Sequence, residues 1–165
     1  MPRESLLAAA IAIAGVLAVG VPVAGAAAST AATSSGATKI TCTYKIYNQT
    51  PTQLSGFSFG YVRCPQPFGR GVQSATYSAT VAKTGAATEK GTYKNWFDAG
   101  TLYGTYSLRG QYTSATAATF KGTFTISGGT GAYQGAKATG LLTCRTTNAG
   151  ATSTCTSVQY TYTGS

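Results

Sequence analysis

Thr123-Phe-Thr-Ile-Ser-Gly-Gly-Thr-Gly-Ala-Tyr-Gln-Gly-Ala-Lys-Ala-Thr-Gly140 decides the fold. Its first residues alternate, Phe124 and Ile126 against Thr123, Thr125 and Ser127, which is the period of a half-buried strand. The alternation breaks at Gly128-Gly129-Thr130-Gly131, where glycine permits φ > 0 and close approach of neighbouring backbone. A second strand begins near Ala138 and runs through Gly140-Leu-Leu-Thr-Cys-Arg145. Tyr133 and Ala136 fall between the two, where an aromatic ring and a small residue suit the plug at the end of a barrel.

The same period runs outward in both directions. Ile40, Cys42, Tyr44 and Ile46 alternate with Thr41, Thr43, Lys45 and Tyr47. Phe57, Phe59 and Tyr61 lead to Cys64, and Pro65-Gln66-Pro67 ends that strand because proline cannot donate to a ladder. Val72 to Lys83 forms the next strand, Gly85 to Glu89 a turn, and Lys90 to Asp98 a further strand. Leu102 to Tyr112 and Ser153 to Thr163 complete the set. The count is eight strands rich in threonine, serine, tyrosine and valine, with no helix signal in the domain. The expectation is an all-β domain: an eight-stranded antiparallel barrel, with a two-sheet sandwich as the alternative, since periodicity does not separate closed from open sheets. Small inward residues such as Gly60, Ala75, Ala79, Gly104, Gly110 and Gly122 leave room for one small ligand.

The N-terminus reads as a signal peptide over residues 1–28: a head with Arg3, an apolar run from Leu6 to Val23, and small-x-small cleavage sites at Ala24-Gly25-Ala26 and Ala26-Ala27-Ala28. A retained membrane anchor is the other reading of that run. Residues 29–38 form a flexible low-complexity tail, and 39–165 is one domain's worth of chain. Secretion is consistent with four cysteines, read as two disulfides. Cys144 and Cys155 are centred on Asn148-Ala149-Gly150-Ala151, a plausible hairpin turn, so they face each other across adjacent strands. Cys42 and Cys64 bracket the loop from Gln49 to Gly56 in the same way. With no histidine and no C-x-x-C spacing, metal binding by these thiols is disfavoured.

The chain carries 12 Lys plus Arg against 3 Asp plus Glu; losing Arg3 and Glu4 with the signal segment leaves the balance at +9. That favours polyanionic surroundings such as an anionic cell envelope. The basic residues never run consecutively, so no specific nucleic-acid site is expected.

The catalytic inventory of the mature chain is thin. Glu89 beside Lys90 reads as a solvated turn acid, and Asp98, before Ala99-Gly100, as a turn residue whose carboxylate caps the backbone. There is no Ser-His-Asp set, so no catalytic residues, cofactor or metal are assigned. What remains is tyrosine, eleven in all. Tyr44, Tyr61, Tyr77, Tyr93 and Tyr106, with Asp98 and Arg145 as charged partners, are the candidate ligand-binding residues, and the candidate ligand is a small hydrophobic or phenolic molecule. Tyr112 and Tyr133 are further candidate lining residues. The competing reading is that inward tyrosines simply fill the barrel.

Ile126-Ser-Gly-Gly-Thr-Gly-Ala-Tyr-Gln-Gly-Ala136 resembles the G-G-[ST]-G-x-[FY]-x-x-A signature of the allene oxide cyclase barrel superfamily, which includes dirigent proteins and many secreted bacterial proteins. The close match covers about twenty residues. The resemblance implies a closed eight-stranded barrel and two activities. Cyclases use a polar cluster in the barrel that includes a glutamate early in the domain, and dirigent proteins use acidic pocket residues. No acid occurs between Lys39 and Arg63, and only Asp98 stands as a candidate for the dirigent part, so this chain departs from both patterns. Three functions follow: a non-catalytic small-ligand or cell-envelope binding protein, a cyclase- or dirigent-like enzyme guiding a hydrophobic intermediate, and a cationic surface-acting defence protein.

Overall fold

A computed structural model describes residues 39–50 and 53–163, with side chains described up to residue 159. The signal segment and the tail proposed for 1–38 lie outside the described residues. The strands are β1 (Ile40–Asn48), β2 (Ser55–Arg63), β3 (Arg70–Val81), β4 (Ala86–Phe97), β5 (Gly100–Ser114), β6 (Ala117–Gly129), β7 (Lys137–Thr147) and β8 (Thr152–Thr163). Each pairs antiparallel with the next, and β1 pairs with β8 from Ile40↔Gln159 to Tyr47↔Thr152. That last ladder closes the sheet into a barrel and rules out the sandwich. Closure leaves no edge strand with unpaired backbone groups.

Two boundaries differ from the sequence reading. β4 begins at Ala86, because the turn is confined to Ala82–Gly85, where Gly85 N–H bonds the Ala82 carbonyl at 2.9 Å and Gly85 takes φ 81°. Glu89 is therefore a strand residue. β6 begins at Ala117, upstream of Thr123.

The interior is built from cross-strand pairs of glycine and aromatic residues. Gly56 faces Tyr77, Gly71 faces Phe97, Gly91 faces Tyr106, Gly104 faces Tyr93, Gly110 faces Phe120 and Gly140 faces Phe124. Each ring lies across a position with no side chain, which fills the narrow barrel without crowding it and covers the exposed glycine backbone. At one end Tyr133, in a 3-10 turn over Gly131–Tyr133, stacks on Phe68 at 5.3 Å and meets Phe97 edge-on at 5.9 Å. Ala136, fully buried, packs beneath it. The glycine-rich stretch thus plugs one mouth of the barrel.

The disulfides are Cys42–Cys64, joining β1 to the end of β2, and Cys144–Cys155, joining β7 to β8 at directly opposed positions. Two disulfides are compatible with an extracellular protein. Among the described residues no helix is long and apolar enough to cross a membrane.

Candidate functional site

Beyond the aromatic plug the barrel keeps an internal cavity, with about 60 Å³ open to the centre of a water-sized sphere. At roughly 10–15 Å³ per water, that is room for roughly four to six water-sized positions. Strand alternation sets its lining: Tyr44 and Ile46 from β1, Ser58 from β2, Gln73 and Ala75 from β3, Glu89 and Tyr93 from β4, Tyr106 and Leu108 from β5. Phe120 and Phe124 from β6, Leu142, Cys144 and Thr146 from β7, and Ser153, Cys155 and Ser157 from β8 complete the wall, with Asn48 toward the unplugged end. The Cys144–Cys155 bridge is thus part of the cavity wall.

The charged group in this cavity is Glu89. The Tyr106 hydroxyl donates to its Oε1 at 2.9 Å. Burial holds the Glu89 carboxyl above its ordinary value, and the bond from Tyr106 offsets part of that rise. Burial also pushes the Tyr44, Tyr93 and Tyr106 phenols up, and the neighbouring Glu89 charge raises Tyr106 further. These hydroxyls therefore stay protonated donors at neutral pH. Every lysine and arginine among the described residues is exposed, so no cation compensates Glu89 from inside.

Two further polar groups give the cavity its character. Thr146 and Ser153 hydroxyls bond each other at 2.9 Å and are satisfied. Gln73 is 7% exposed, and its Oε1 has no hydrogen-bond partner. Buried acceptors without partners are uncommon and destabilising, by about 1–3 kcal/mol each. Deeper toward the plug, Asn95 Oδ1 is likewise unpartnered, while Tyr44 shares hydrogen bonds with Asn95 and Ser157.

Of the seven candidate residues from the sequence, the structure brings together Tyr44, Tyr93 and Tyr106. The rest lie elsewhere. Tyr61 stands on the outer face at 62% exposure, because Ser58, Gly60 and Val62 take the inward phase of β2. Tyr77 is spent on the β1–β2 loop, donating to the Thr50 carbonyl at 2.8 Å. Asp98 is exposed in the β4–β5 turn at the plugged end, and Arg145 points outward from β7 between buried Cys144 and Thr146. Glu89 and Gln73 are the members that sequence reasoning missed. A signal for Glu89 existed: extending the inward phase of Tyr93 and Asn95 back by two and four residues reaches Gly91 and Glu89.

The raised carboxyl has a consequence for stability. Between the ordinary glutamate value of 4.5 and the higher folded value, the native state holds a proton that the unfolded chain has released. Stability is therefore greatest below 4.5 and falls as pH rises through that window. Each unit of separation costs about 1.4 kcal/mol at neutral pH. Glu89→Gln keeps an acceptor for Tyr106 and is expected to flatten this slope and raise stability at pH 7. Urea midpoints measured from pH 4 to 8 for both proteins check it; parallel curves would remove Glu89 from the interior.

Comparison with protein-family models, with curated proteins and with solved structures found no match to this chain.

Proposed function

We propose that this chain is a secreted, disulfide-stabilised barrel, akin to the allene oxide cyclase barrel group, that holds a small ligand inside without converting it. The observation that carries the reading is the cavity itself, with an uncompensated carboxyl and an unpartnered buried amide oxygen on one wall and aromatic rings on the others. A site rich in acceptors selects a ligand that donates hydrogen bonds from a small apolar body. Binding is favoured over catalysis because a proton passed to Glu89 needs an onward acceptor, and the interior tyrosines are held as neutral phenols. The cyclase- or dirigent-like alternative is supported by one feature, the Glu89–Tyr106 pair beside Tyr93 and Tyr44.

Backbone amide shift mapping with phenol and small alcohols tests the reading. The expected perturbations fall on the strands around Glu89, Tyr106 and Gln73 and vanish when Ala75→Leu fills the cavity. Shifts confined to outward residues such as Tyr61 and Trp96 would refute it.

A second reading, attachment to an anionic envelope, rests on the outer face. Arg109 lies opposite Lys121 in the β5–β6 ladder, Lys121 is diagonal to Arg145, and Arg145 and Lys45 both neighbour Thr154. Four cations thus share one threonine-rich face, while Glu89 is inside and Asp98 sits at the plugged end.

A further inference from the structure

We infer that the ligand class of this cavity is the small protonated amine, seated with its ammonium on the Glu89 carboxylate and its apolar body along the aromatic side chains of the same cavity, Tyr93 and Phe124 among them. The inference rests on the ligand-binding reading above and narrows it. Three observations point the same way. First, the carboxyl inside the barrel has a hydroxyl partner, Tyr106, and no cation beside it: Arg70 on β3, Lys90 and Lys94 on β4 and Arg109 on β5 are all exposed. Second, Gln73 Oε1 lines the same cavity six positions further along the β3–β4 ladder, is more than nine-tenths buried and has no partner, so the wall offers a second acceptor beyond the carboxylate. An ammonium carries three donors and no acceptor, which matches that set. Third, the rings of Tyr44, Tyr93, Phe120 and Phe124 line the same cavity, and ring faces attract a cation within about 6 Å of the centroid.

Tyr106 on β5 bonds Glu89, Tyr93 on its own strand and Tyr44 on β1 line the same cavity, and Tyr77 on β3 lies near Tyr106; the nearest residues across the ladders, Ala79 and Leu108, are neutral. An amine would therefore meet one negative partner and no interior positive one. Outside, the eleven cations of residues 39–165 repel an approaching amine, but that field is screened over about 8 Å at physiological ionic strength. The ligand arrives as R–NH3⁺ and pairs with the Glu89 carboxylate by charge-assisted hydrogen bonds.

The test uses ligands matched to the small cavity: n-butylamine, 1-butanol and butyrate, titrated against the folded protein at pH 6.5 and followed by amide shifts. The expected order is amine at least tenfold tighter than alcohol, with butyrate weakest. Glu89→Gln is expected to abolish the tenfold advantage of the amine over the alcohol. If amine and alcohol bind equally, or the amine advantage survives in Glu89→Gln, the amine assignment fails and the ligand-binding reading stands. If neither binds, both fail.

Discussion

A chain in which Cys42→Ala, Cys64→Ala, Cys144→Ala and Cys155→Ala are combined is expected to melt on the order of 20 °C below the native protein. The bridges close loops of 22 and 11 residues' separation. By the chain-entropy relation they restrict the unfolded state by about 3 kcal/mol each. Together that is about 6 kcal/mol, against the 5–15 kcal/mol of total stability typical of a domain (~4 °C per kcal/mol at this size). The barrel has reason to need them: its interior mixes glycine, serine and tyrosine with a few aliphatic side chains such as Leu108 and Leu142, and it encloses a cavity. Thermal melts followed by circular dichroism check the value, and the two paired variants made separately apportion it. A fall of less than 5 °C would mean that the sheet closes without its staples.

Gly91→Ala is expected to be among the most costly single methyl groups added near the cavity. A Cβ there would sit 1.9 Å from the Thr76 carbonyl oxygen and 3.0 Å from the Tyr106 ring. The ring can swing, but the carbonyl belongs to the backbone of β3, so the β3–β4 ladder must open to admit the methyl. Overpacking of this kind destabilises by about 3 kcal/mol or more when the obstacle is main chain. Lys90→Ala, one residue away on the outer face, is expected to stay within about 0.5 kcal/mol. The functional consequence is separate from the energetic one. A displaced Tyr106 no longer donates to Glu89, so fragment binding is expected to weaken in whatever fraction of Gly91→Ala folds. Denaturant midpoints of the two variants provide the check, and equal midpoints would contradict the close-packed glycine–aromatic pairing.

The fold was legible because it is written in a period of two that needs no long-range information. Phe124 and Ile126 against Thr125, and the cysteines placed symmetrically about two turns, determine which strands neighbour one another. Closure is not fixed by the pattern: the β1–β8 ladder joins residues more than a hundred positions apart, and the count of eight strands and the resemblance favour a barrel without excluding a sandwich. The site was half legible, and the errors have a physical source. Tyr61 was misread because an exposed aromatic and a buried one look alike when the opposite face of the strand is serine and glycine. Here the small face is the inner one, since neighbouring rings already fill the space. Glu89 was misread because alanine and glycine on either side made Ala86-Ala87-Thr88-Glu89 look like turn rather than strand, and because a charged side chain is seldom inward. Arg145 and Asp98 were chosen for their charge, yet the alternation that puts Cys144 inside puts Arg145 outside, and Asp98 falls beyond the last inward residue, Phe97.

One carboxyl group, Glu89, lies inside the barrel and is bonded to Tyr106, and the site depends on it. Residues 39–165 contain two acidic side chains, Glu89 and Asp98, so side-chain carboxyl carbon-13 resonances can be assigned with Glu89→Gln alone. Titration from pH 3 to 9 is the direct measurement. The predicted result is a Glu89 resonance that titrates above the ordinary glutamate value of 4.5 and moves when Tyr106→Phe removes its donor. A Glu89 resonance that titrates at 4.5 and ignores Tyr106→Phe would place the carboxyl in solvent and leave the cavity without its charged partner.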